Sequence, residues 1–161
     1  MNQVVSPSPL PKAEYPPLLD AGIKYMSMDM LHNIAVEPFR TSVRRPILFS
    51  NLQIWLSRAT ILGLKGELWV DGSFLTEKKE PNDIDCVLII DAFASDISAE
   101  SVRNVSAHLD KSVIAAQYGM DLYLVARTPQ TPEKEKLSYW RGWFGYCRDG
   151  ITAKGIARIE L

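Results

Sequence analysis

Residues 83–90 constrain the chain more than any other segment, because two aspartates one residue apart, Asp83 and Asp85, open an apolar, β-branched run. Its length and composition are those of a central strand. A two-residue period puts Asp83, Asp85, Val87 and Ile89 on one face and Ile84, Cys86, Leu88 and Ile90 on the other. Gly72-Ser73, just upstream, closes a strand-like run over 67–70, and Asp121 enters a third over 120–126. Three carboxylates and a glycine-turn serine are therefore expected at one end of a sheet, the layout of a two-metal phosphoryl-transfer site.

The surrounding pattern supplies helices to cover that sheet. Over 46–62, Leu48, Leu52, Trp55, Leu56, Ala59 and Leu62 recur at helical spacing, with Pro46 in the first turn and Gly63 at the end. Residues 98–117 predict a second helix through Val102, Val105, Leu109, Val113 and Ala116, and 133–148 a third through Leu137, Trp140, Phe144 and Cys147. A shorter helix is expected over 26–35, broken at Pro38, turns at 81–82 and 128–132, and a last strand over 155–161 at a sheet edge. The order predicts an α/β (α+β) fold, a mixed β-sheet with helices packed on it.

At 161 residues the chain fits one domain. Five of its ten prolines fall within residues 1–17, which are expected to form an extended or disordered lead-in to a single domain over 18–161. A net charge of −1 gives no global field for gripping a nucleic-acid backbone. The longest continuous apolar run, 86–90, is far short of the roughly 20 residues that span a membrane, so no membrane partner and a cytoplasmic location are expected. Cys86, Cys147, His32 and His108 form no zinc-ligand spacing.

Carboxylates alternating on a strand have Cα atoms about 6.5 Å apart and reach one ion together. Magnesium prefers such oxygen ligands and keeps waters and substrate phosphates in its remaining positions. Glycine after a strand lets the backbone approach a phosphate, and the following amides and hydroxyl donate to it. The pattern Val70-Asp71-Gly72-Ser73, nine intervening residues, then Asp83-Ile84-Asp85-Cys86 and a later Gly119-Met120-Asp121 resembles the nucleotidyltransferase superfamily with a DNA polymerase beta-like core. The flanking residues, with a closing Lys154-Gly155-Ile156, also look like small, largely uncharacterised bacterial single-domain proteins with that core. The resemblance covers about residues 46–126 and implies a nucleotidyltransferase-like domain. It implies a nucleoside triphosphate held by Gly72 and Ser73, with Lys154 beside them. It also implies a two-metal Mg2+ site at Asp83, Asp85 and Asp121, with Asp121 deprotonating the acceptor hydroxyl.

The expected activity is transfer of a nucleoside monophosphate to a hydroxyl of a protein, RNA or small molecule, in a setting such as a toxin-antitoxin or phage-defence module. The alternative is a catalytically degenerate nucleotide-binding or partner-binding module of the same fold. A glycosyltransferase D-x-D reading is disfavoured by the short chain and the upstream Gly-Ser. Tyr139, Trp143 and Tyr146 form a second aromatic stripe, open to base stacking or to a homodimer contact, of which the contact is favoured. The basic cluster over 134–161 and Arg40, Arg44 and Arg45 are read first as solvated surface.

Overall fold

The computed structural model describes residues 13–91, 99–127 and 133–161. The first twelve residues of the lead-in, Ser98, the turn at 128–132 and the side chains of Val102, Lys134 and Lys136 lie outside the described residues. Five strands form one mixed sheet in the order β1-β5-β2-β3-β4. They are β1 (Gly22–Tyr25), β2 (Gly66–Asp71), β3 (Ile84–Ile90), β4 (Met120–Ala126) and β5 (Gly155–Glu160). The pairs β3/β4 and β1/β5 are parallel, while β2 runs antiparallel to both its neighbours. Among the described residues no helix is long and apolar enough to cross a membrane.

The alternation expected for residues 83–90 holds along β3. Ile84, Cys86, Leu88 and Ile90 join the larger core with α1 (Met28–Ala35), α2 (Arg44–Ile61) and α4 (Lys111–Tyr118). Val87 and Ile89 face the other way, where Trp69, Val125 and Ile156 meet Leu137, Trp140 and Phe144 of α5 (Glu133–Phe144). The sheet is thus covered on both faces. The second aromatic stripe stays outside, with Tyr139, Trp143 and Tyr146 all exposed.

Three local expectations are corrected. The helix expected over 98–117 is two, α3 (Ala99–His108) and α4, because the Asp110 carboxylate accepts from the N–H groups of Ser112 and Val113 and starts a new helix. The break shifts the helical phase, so that Ile114 is buried and Val113 exposed. The final strand is interior, between β1 and β2. The edge belongs to β1, a four-residue strand whose half-exposed side chains carry no alternation in sequence.

Arg45 is the third correction. It is fully buried, and its N–H groups donate to the carbonyls of Ala35 (2.6 Å), Phe74 (2.8 Å), Thr76 (2.6 Å) and Lys78 (2.6 Å). Its guanidinium carbon lies 3.7 Å from the centre of the Phe39 ring. Burial lowers its pKa to about 10, partly offset by Glu80, so it stays charged at neutral pH. Replacing it strands four carbonyls that α1 and the 74–78 loop direct at one point. Arg45→Met is expected to lower the unfolding free energy by about 3 kcal/mol or more in urea titration, whereas Arg40→Met, which breaks only an exposed pair with Glu37, should cost under about 1 kcal/mol.

Candidate active site

The register across β2, β3 and β4 builds the site. Asp85 stands opposite Asp71 on one side and Asp121 on the other, so three carboxylates form one rung across adjacent strands. Strands lie about 4.8 Å apart, so the rung spans roughly 10 Å. The next rung on the same face is Trp69, Val87 and Tyr123, and the one after it Glu67, Ile89 and Val125. Trp140 of α5 packs on Tyr123 with ring centres 5.0 Å apart. At the far rung, buried Glu67 is neutralised by Arg127 at 2.7 Å and by Arg158. Asp83 precedes β3 and is exposed.

Two glycines make this rung reachable. At Gly72, φ is +74°, and an added Cβ would lie 1.7 Å from Asp85 Oδ2, so the Asp85 carboxylate packs on bare backbone. Gly72 opens a single 3-10 turn, Gly72–Leu75, in which the Ser73 carbonyl accepts from the Thr76 hydroxyl at 2.9 Å. Arg45, through Phe74 and Thr76, fixes the same turn. Gly119 caps α4 in the left-handed region and lets β4 begin at once, with its carbonyl accepting from Ile84 N–H at 3.0 Å. That bond helps bring Asp121 alongside Asp85.

Lysines are the counter-ions of the rung. Lys154 Nζ sits 2.8 Å from Asp71 Oδ2, and both side chains are largely buried. Lys111 Nζ sits 2.7 Å from Asp121 Oδ1 and 3.8 Å from the centre of the Tyr123 ring, while the Tyr123 hydroxyl donates to Asp121 Oδ2 at 3.0 Å. Burial pushes Asp71 up to about 7 against the pull of Lys154, and neighbouring Asp85 adds to the rise. Asp85 is raised by burial and then by Asp83 and Asp121, with Lys154 and Arg148 opposing. Burial also raises Tyr123, reinforced by its bond to Asp121.

Of the residues singled out in the sequence, Asp85, Asp121 and Gly72 come together at the rung, Ser73 follows in the turn, and Asp83 lies just before β3. Lys154 reaches the rung through Asp71 rather than standing beside Gly72 as a free cation. Sequence reasoning did not include Asp71, Lys111 and Tyr123 as site residues. Asp71 was visible only as the residue before Gly72, and Lys111 carries no sequence signal because its contact depends on the break at Asp110. Among the described residues no three His, Cys, Asp or Glu side chains converge closely enough to hold an ion as they stand. The donor chemistry nevertheless fits magnesium: all the candidates are carboxylates, and Asp71 Oδ1 is buried with no hydrogen-bond partner.

The family model of a family of unknown function, DUF6932, matches residues 11–160. The chain belongs to the DUF6932 family. No curated protein and no solved structure matches it. The DUF6932 match thus sets the extent of the family, and the chemistry rests on the residues themselves.

The Asp71 shift sets a pH dependence in metal-free protein. The folded state holds this proton up to about pH 7, while an ordinary aspartate loses it near 3.8. The folded state therefore binds more protons in that window, and the stability contribution of Asp71 falls as pH rises from about 4 to about 7 and is flat above. The thermal midpoint of wild type relative to Asp71→Asn should drop across the same window; a difference that does not change with pH would contradict the assignment.

Proposed function

We propose that the chain is a metal-dependent nucleotidyltransferase that binds a nucleoside triphosphate with magnesium and transfers the nucleoside monophosphate to a hydroxyl of a protein, RNA or small molecule. The observation that supports this most is the single rung of Asp71, Asp85 and Asp121, with the bare backbone of Gly72 pressed on Asp85. Asp83, Asp85 and Asp121 are the residues to hold magnesium, which supplies charge neutralisation for the triphosphate and the departing pyrophosphate.

The chain's own groups do the rest. Gly72 lets the Asp85 carboxylate sit against the backbone, and Ser73, next in the turn, offers a hydroxyl and an amide to phosphate oxygens. Lys154 offsets the Asp71 charge, so the rung is less repulsive to an incoming anion. Asp121 takes the proton of the attacking hydroxyl, a step that requires Lys111 to leave its Oδ1. Rate enhancement on this reading comes from alignment and charge placement. The resemblance to stand-alone members of the superfamily favours a toxin-antitoxin or phage-defence setting.

The second reading, a degenerate nucleotide-binding or partner-binding module, is favoured by the two lysines, which already neutralise Asp121 and Asp71. Calorimetric titration with each of the four common ribonucleoside triphosphates, with and without magnesium, separates the transferase from a module that binds only a partner. Nucleotidyl transfer requires magnesium-dependent binding that weakens at least tenfold in Asp83→Ala/Asp85→Ala and in Gly72→Ala. Wild-type protein that binds none of the four sinks the enzyme in favour of the module.

A further inference from the structure

A cavity of about 490 Å³ opens at the end of the sheet between α2 and the C-terminal half of α4. It reaches the carboxylates from the β4 side, at Asp83 and Asp121, whereas Gly72 and Ser73 flank Asp85 from the β2 side. The row of carboxylates thus separates two approaches. Size alone suits a small organic ligand or one unit of a polymer.

The lining selects among such ligands. Ile47, Ala115, Ala116 and Met120 offer an apolar wall. Asn51, Asn82 and Gln117 supply amides, each a donor and an acceptor at once, which suits the mixed edge of a heterocyclic base. The Asn51 amide N–H is fixed on the Tyr118 carbonyl at 3.3 Å. Arg44 is the one cation of this lining, and its guanidinium is braced on the carbonyls of Pro81, at 3.1 Å, and Asn82. In the metal-free protein, Asp83 and Asp121 in the same wall disfavour a polyphosphate, and the cavity favours a neutral, hydroxyl-bearing ring system.

We infer that this cavity receives the acceptor, and that the acceptor is a nucleoside, either free or at the end of an RNA chain. The assignment rests on the nucleotidyl-transfer reading. A ribose hydroxyl oxygen bonds to the α-phosphorus of the triphosphate and passes its proton to Asp121. The bond from that phosphorus to the bridging oxygen breaks, and pyrophosphate leaves with the electron pair. Nucleotide donor and nucleoside acceptor then approach the carboxylates from opposite sides.

The test uses the full chain without triphosphate or magnesium. Adenosine, guanosine, cytidine, uridine and a short single-stranded oligoribonucleotide are titrated by calorimetry and saturation-transfer NMR. Saturable binding of a nucleoside or the oligonucleotide is expected, weakened at least tenfold by Ala116→Trp, which fills the cavity from an exposed helix position, and by Gln117→Leu. Both variants should keep the wild-type circular dichroism and the wild-type magnesium-dependent triphosphate binding. Binding of the oligonucleotide tenfold tighter than of any nucleoside assigns an RNA end, and comparable affinities a free nucleoside. No binding of any probe, or binding unchanged in both variants, overturns the inference while triphosphate binding stands. Nucleoside binding in a protein that binds no triphosphate overturns the transfer reading and, with it, the acceptor role.

Discussion

The buried Arg45 guanidinium ties together parts of the chain that share no strand pairing. Its carbonyl partners come from the end of α1, from the Gly72–Leu75 turn and from the loop after it, while the residue itself lies in the first turn of α2. A charge removed from water survives only when its donors are filled, and here backbone oxygens fill them without a carboxylate in direct contact. Glu80, two residues past Lys78, completes the arrangement by accepting from the N–H groups of Val43 and Arg44 at the head of α2. The loop that leads from Gly72 to Asp83 is thereby clamped at both its ends and its middle. Without that clamp, a polar connection with four Lys and Glu residues in a row would have no reason to hold one path.

What the clamp positions is a register. Because side chains alternate, a slip of one residue between β2 and β3 would turn Asp85 away from Asp71 and bury it in the larger core. The apolar partners on the following rungs, Trp69 with Val87 and Leu68 with Leu88, make that slip costly. Gly119 sets the β4 register in the same way, by ending α4 one residue before the strand. The acidic rung is held by apolar packing behind it, so its charges need not contribute to stability.

Much of this was legible in the sequence for a physical reason. Buried strands announce themselves as apolar runs and helices by one apolar stripe, which is why β3, β4, α2 and the Leu137, Trp140 and Phe144 stripe of α5 are expected where they occur, whereas Cys147, expected on that same helix, lies beyond its end at Phe144. Position along a sheet is not periodic information. Nothing in Gly22–Tyr25 marks an edge strand, and nothing in Gly155–Glu160 says that both its edges are paired. Arg45 reads as surface in the sequence because its partners are carbonyls, which every residue has, and no sequence pattern records where they point. Asp83, Asp85 and Asp121 are legible as types at a spacing; of the lysines that meet the rung, Lys154 enters only through the resemblance and Lys111 not at all.

Those lysines follow from electrostatics. Two like unit charges about 5 Å apart at an effective dielectric of 20 repel by about 3 kcal/mol, and the rung places Asp85 between two such neighbours. A folded chain has three ways to relieve this: take up protons, recruit its own cations, or bind a foreign one. The first is visible in the raised values of Asp71 and Asp85, where burial is the larger cause and the neighbouring carboxylates add to it, and the second in Lys154 and Lys111. Lys154 is nearly enclosed, so its pairing belongs to the fold; Lys111 is about half exposed and is the cation that a third solution would displace. On the nucleotidyl-transfer proposal, the same repulsion that makes the rung costly to build would give an incoming metal ion its binding energy, with the Lys111 contact as the part it would have to overcome.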